Sequence, residues 1–274
     1  MMIVDIDKLF KAYVVDFLTK NKGKYNDSQL NEKLEDLYTD FAATPFKELD
    51  GHTPATFYVD KADKLVWILT EHFKVGVPVS DYLISAIKEV SPKEELLPLV
   101  SLSNPADLVL IALECLYAKD AKIDDNRLID LFFDSNLDER IRDFIADHYL
   151  NDPSLKMAVL DRAEGIDAPS GAVLDVLSTM EHSDRIRAVL ERGFLSGLDK
   201  APEYCQYLVR YFDESLLPAL YRGIDLCDDY LSFKEISIAI EALGGTPPAQ
   251  RDFSNDKNYL RIKESSKNEH KTNN

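Results

Sequence analysis

Cysteine is scarce: Cys115, Cys205 and Cys227 are the only three in 274 residues. They are odd in number, far apart and never spaced as Cys-x-x-Cys, which excludes a disulfide framework and a cysteine-rich zinc site. Glycine and proline are also few, at 10 and 12, which argues against a sandwich or barrel with many tight turns. No run of about 18 apolar residues occurs, so neither a spanning helix nor a membrane partner is expected. The opening "MMIVDIDKLFKAYVVDFL" has no basic segment ahead of its apolar residues, and acidic residues interleave with them. No secretory leader is therefore expected, and a cytoplasmic location is. Positive charge is in deficit, with 32 Lys and Arg against 49 Asp and Glu and a net charge of −17. Phosphate backbones are bound through Lys and Arg, so nucleic acid is not an expected partner. An acidic surface that attracts a basic protein or peptide fits this balance better.

Catalytic and metal motifs are missing as well. There is no His-Glu-x-x-His, and the five histidines never stand four apart. Nucleophile elbows, Ser-x-x-Lys, Walker glycines and dinucleotide-binding glycines are not present. "DSNLDE" at 134–139 begins like a calcium loop with Asp134, Asn136 and Asp138. It has Glu139 where the loop needs glycine and Ile145 where it needs glutamate, so it reads as a polar turn. The expectation is a chain without enzymatic activity, catalytic residues, metal or cofactor.

What is present is a repeat. Helices starting near Ser80, Pro105, Asp138, Ser170, Pro202 and Phe233 each carry apolar residues three, six, seven and ten positions on, which is one helical face. Examples are Val173, Val176, Leu177 and Met180, then Cys205, Leu208, Val209 and Phe212. His148 is the one polar member. A second series lies between them: Leu96, Leu99 and Val100; Leu128, Leu131 and Phe132; Met157 and Leu160; Ile186, Val189 and Leu190; Leu216, Ala219 and Leu220. Each unit of about 31 residues thus holds two helices. Pro105, Pro169 and Pro202 sit at or near helix starts, where proline costs nothing, and Ser80 and Asn104 read as N-caps. "AEGIDAP", "ERGFLSG" and "YRGIDLC" place Gly165, Gly193 and Gly223 where a left-handed glycine would close each second-series helix, sealed by Ile166, Phe194 and Ile224.

The helix-pair periodicity, with phrases such as "LIDLFFDSNLDERIRDFIAD" and "ISIAIEALGG", resembles the HEAT and armadillo-like superfamily of α-helical repeats over about residues 61–245. The resemblance implies an all-α fold, an α-α superhelix (solenoid) of stacked antiparallel helix pairs. The period is shorter than the usual HEAT length and near the tetratricopeptide length, but the tetratricopeptide Trp-Leu-Gly-Tyr pattern is missing. Residues 1–60 read as an N-terminal helical cap with two amphipathic helices, 5–20 carrying Ile6, Leu9, Phe10 and Tyr13, and 28–43 carrying Leu30, Leu34, Leu37 and Phe41. The cap and the 61–245 array are expected to form one domain. Asp50-Gly51 is a turn signal and Thr53-Pro54 a helix start. Residues 246–274 read as a polar, disordered tail.

Helical repeats bind along the inner surface of the stack, so the expected function is a protein- or peptide-binding scaffold. If the first series lines that surface, the candidate partner-binding residues are Arg142, Asp143, Tyr204, Tyr207, Arg210 and Tyr211, with tyrosine supplying rigid amphipathic contact area. Two alternatives stand beside it. One is a HEAT-like enzyme of the DNA glycosylase or lyase type. The other is an acidic inhibitor or immunity-type protein that binds a basic partner.

Overall fold

A computed structural model describes residues 3–263. It is 68% helical with no strand among the described residues, so the chain is all-α. No described helix is long and apolar enough to cross a membrane. Packing gathers the chain into two compact units, Met1–Ile141 and Arg142–Asn274. The division falls inside the helix Glu139–His148.

The first unit opens with α1 (Ile6–Lys20) and α2 (Asp27–Ala43). Asp5 starts α1 by accepting the Lys8 N–H at 2.8 Å. A reciprocal Asn26–Gln29 capping box starts α2. The core of this pair is aromatic: the Phe41 ring centre lies 5.1 Å from Phe10, 5.7 Å from Tyr13 and 5.0 Å from Phe46. Asp50 and Gly51 are both left-handed, as the Asp-Gly turn requires. Thr53-Pro54 does not start an α-helix; turns and a 3-10 segment, Val59–Lys64, lead into α3 (Leu65–Val75). Then come α4 (Asp81–Val90), α5 (Lys93–Leu96), α6 (Ala106–Tyr117), α7 (Asp125–Phe132) and α8 (Glu139–His148), which carries the division. Ser80 caps α4 as expected. Asn104 does not cap α6: its amide donates to the Leu99 carbonyl at 2.8 Å, and Pro105 takes the N-cap position.

The second unit holds α9 (Pro153–Ala163), α10 (Gly171–Leu177), α11 (Asp184–Ser196), α12 (Ala201–Tyr211), α13 (Leu217–Leu226) and α14 (Tyr230–Ala242). Alternate helices pack on each other: α9 on α11 and α11 on α13, then α10 on α12 and α12 on α14. Consecutive helices touch from α9 to α12, as do α13 and α14. The two series read from the sequence are therefore two rows within this unit. The first-series faces are buried throughout α10 and α14 except at Met180, and at Cys205 and Leu208 of α12. In α9 the buried face is Leu155, Val159, Leu160 and Ala163, while Met157 is exposed.

The three phrase glycines do not take left-handed conformations; among glycines, positive φ occurs at Gly23, Gly51, Gly76 and Gly244. Gly193 and Gly223 lie inside α11 and α13. They are contact points where a side chain of an earlier helix, α10 for Gly193 and α11 for Gly223, meets bare backbone. A Cβ on Gly193 would stand 2.6 Å from Leu174 Cδ2, and one on Gly223 would stand 2.5 Å from Phe194 Cε1. Gly165 does lie just past α9, in open surroundings. The C-terminal carbonyls of α9 are closed instead by Arg192 of α11, whose guanidinium donates to Ala163 O at 2.9 Å and Ile166 O at 2.8 Å.

Phe212 also departs from the helical pattern. It ends α12 in the left-handed conformation, φ 53°, and its side chain is 66% exposed instead of joining the core. A bulky residue pays about 1–2 kcal/mol there, more than the unfolded-state entropy that glycine adds, about 0.5–1 kcal/mol. Phe212→Gly is expected to raise stability by roughly 0.5–1 kcal/mol, read as a higher urea midpoint. A lower midpoint would show that the phenyl ring contributes contacts outweighing its backbone strain.

Beyond α14 the chain does not leave the surface as a free tail. Phe253 is buried, and residues 257–263 are helical. Charge and polarity over 246–263 hide a docked segment, because Arg251 is satisfied by backbone carbonyls and Phe253 by aromatic rings. The disorder expected for residues 264–274 falls outside the described residues.

Candidate functional site

Within the second unit, side chains of four helices and the turns that follow them line one cleft of ≈ 400 Å³. α8 and its following turn supply Ala146, Asp147, Leu150 and Asn151. Lys156 comes from α9, while Asp175, Val176 and Thr179 come from α10 and its following turn, and Arg210 from α12. Three of these helices, α8, α10 and α12, belong to the first series read from the sequence.

The floor is apolar and fixed, with Leu150 and Val176 buried. The walls are polar and ordered. Arg210 forms an ion pair with Asp175 and lies over the Tyr207 ring at 5.7 Å. Tyr207 in turn donates its hydroxyl to Glu203 at 3.0 Å. Partial burial and the neighbouring Glu203 carboxylate push the Tyr207 phenol above its ordinary range, so it remains a hydroxyl donor at neutral pH. Lys156 donates to Thr179 Oγ1 at 2.8 Å, and Asn151 donates its amide to the Asp147 carbonyl at 2.9 Å. The result is a lining of both signs, able to hold charged and hydrogen-bonding groups.

The six residues expected at a binding surface divide. Arg210 and Asp143 are exposed, and Tyr207 and Arg142 are half-buried. Tyr204 and Tyr211 are buried at 4% and 2% exposure, and their burial withdraws them from any surface. Tyr204 has a packing cause: its ring rests on two glycines, and a Cβ on Gly171 would stand 3.1 Å from its Cε1 while one on Gly197 would collide with it. Tyr211 serves the turn before α11. Its hydroxyl accepts the Ser183 N–H at 2.7 Å, and His182 Nε2 meets the Tyr211 carbonyl at 2.6 Å.

Asp175 is not among the six, although the sequence carries a signal for it. Counted from each first-series start, Asp143, Asp175 and Tyr207 occupy the same position, five residues on. Lys156, Asn151 and Thr179 have no such signal, because a turn or the other helix series delivers them.

The other candidate chemistry is closed. All three cysteines are buried, and burial pushes the Cys115 thiol up to about 11 and the Cys205 thiol to about 12. These thiols are protonated at neutral pH. In the 134–139 turn, Asp134 accepts the Asn136 N–H at 2.7 Å, and Asp138 pairs with Arg140 at 2.9 Å. No group of three or more His, Cys, Asp or Glu side chains suited to a metal ion occurs among the described residues. Comparison of the chain with protein-family models, with curated protein sequences and with solved structures finds no match.

Proposed function

We propose that the chain is a non-enzymatic scaffold that binds a protein or peptide along the first-series row, in the manner of a HEAT-like α-α superhelix. The observation that supports this reading is the composition of the cleft: first-series helices α8, α10 and α12 each contribute to it, as expected of a surface built from successive repeats. Tyr207 and Arg210 give it a planar, amphipathic edge. The acidic side chains Asp143, Asp147, Asp175 and Glu203 on this row, with a net charge of −17 overall, favour a partner segment rich in Lys or Arg and disfavour nucleic acid. A cytoplasmic location accompanies this reading.

Selection from a displayed random-peptide library tests it. Peptides rich in Lys and Arg are expected to be enriched, and to be released by high salt. Reversing two cleft charges, Asp147→Lys with Asp175→Lys, is expected to weaken them about tenfold or more, which corresponds to about 1.4 kcal/mol. Binders that survive the reversal unchanged would place recognition elsewhere.

A further inference from the structure

In the second unit, Arg192 on α11 closes the C-terminal end of α9 by bonding Ala163 O and Ile166 O, two carbonyls three residues apart. Among the described residues, no arginine-bearing helix equivalent to α11 follows α13 to do the same. The end of α13 is nevertheless closed by an arginine, Arg251 from the C-terminal segment. Its Nη1 donates to Cys227 O at 3.0 Å and its Nη2 to Ile224 O, again two carbonyls three residues apart. The segment thus occupies the seat that a further helix would take.

The seat recognises more than one group. The Asp225 carboxylate lies 3.6 Å from the Arg251 guanidinium, which also lies over the Phe233 ring at 5.4 Å. Two residues on, Phe253 is buried with its ring centre 5.5 Å from Tyr230 and 5.2 Å from Phe233. Asp256 accepts the Tyr230 N–H at 3.2 Å, and the Tyr259 ring packs on Tyr230 at 5.0 Å. The charge of Asp225, Asp228 and Asp229 favours a cationic occupant. The tether, "GGTPPAQ" at 244–250, has no regular structure after Gly245, and Ala249 and Gln250 are exposed. The segment is therefore held at this end by an arginine on two carbonyls, a buried ring and a backbone hydrogen bond, behind an exposed tether.

We propose that the end of the α13–α14 pair is a peptide-docking site for a partner segment carrying an arginine two residues ahead of a phenylalanine. Residues 251–259 hold it in cis until such a segment displaces them. The site is separate from the first-series cleft and depends on none of its residues. A short tether gives the cis segment an effective concentration on the order of millimolar, so a competing segment must bind more tightly than that to win.

The probe is a fluorescent peptide of residues 249–262, titrated by polarisation against the full chain and against Arg251→Ala/Phe253→Ala. The double variant is expected to bind the peptide at least tenfold more tightly than the unmodified chain, because its own segment no longer competes. The same peptide with both alanines is expected to bind neither protein. Equal, weak binding by a double variant with unchanged helical circular dichroism overturns the proposal. Should that variant unfold, the single Arg251→Ala change keeps the Phe253 contacts, and absence of at least a threefold gain there overturns it equally. A concentration-dependent dimer of the unmodified chain that the double variant lacks would assign the seat to a second copy and overturn the proposal as stated.

Discussion

Replacing Phe41 with alanine is expected to cost about 3–5 kcal/mol of stability, the range for a fully buried aromatic cut to a methyl group. Phe41 has no exposed surface and sits among Phe10, Tyr13 and Phe46. Its neighbours in α1 cannot compensate, because Ile6 is the one buried residue of that helix, and Val15 and Leu18 are exposed. α1 is thus attached mainly through half-buried rings that close around Phe41. Truncating this residue removes contact area and the offset aromatic pairs together. Urea unfolding gives the magnitude, and amide exchange gives the location: the largest loss of protection is expected in α1. The neighbouring Tyr38, at 41% exposure, provides the contrast. Tyr38→Ala is expected to cost less than half as much, and equal losses would mean that the ring cluster is not organised around Phe41.

The pattern that reveals α1 and α2 also reveals nearly every other helix, for one physical reason. A helix packed on one side buries a stripe, and a stripe repeats at helical spacing whatever its neighbours are. Leu83 and Ile87, Val173 and Leu177, Ile236 and Ile240 all show it and are all buried. The pattern weakens at helix ends, where cap geometry decides which way a side chain points. Val90 and Phe212 match the stripe yet are exposed, each at or just past the end of its helix. Tertiary partners are invisible to it as well. Asn104 has the sequence of a cap but bonds backward to Leu99, and the Arg251–Phe253 segment has the composition of a tail but finds carbonyls and rings 20 or more residues upstream. The cleft is partly legible. Arg210 follows from the first-series face, and Asp175 from the repeat count that also gives Asp143 and Tyr207, which stand outside the lining. Lys156 and Thr179 meet only because α9 and α10 fold against each other.

Gly223→Ala and Gly193→Ala are expected to destabilise the chain by about 1–3 kcal/mol each, while Gly165→Ala is expected to be neutral or to stabilise by up to about 0.5–1 kcal/mol. Sequence alone treats the three as equivalent, since each follows a charged residue and precedes a large apolar one. Helix propensity alone would make alanine at Gly193 and Gly223 an improvement of about 1 kcal/mol, because both are helical. Steric overlap opposes that gain and exceeds it. The new methyl group would meet Leu174 at 2.6 Å or Phe194 at 2.5 Å, and both of those side chains are fully buried with no room to withdraw. At Gly165 neither propensity nor overlap acts strongly. The backbone is not left-handed, nothing but the Arg162 carbonyl lies within 4 Å of the added carbon, and Arg192 already serves the nearby carbonyls. Urea unfolding of the three single variants separates caps from contact points by sign. If these glycines were left-handed caps, all three alanines would destabilise by similar amounts, with Gly165 the clearest case. If they are contact points, the loss is confined to Gly193 and Gly223. It should also shrink when the opposing side chain is shortened, so that Gly193→Ala costs less in a Leu174→Val background than in the unmodified chain.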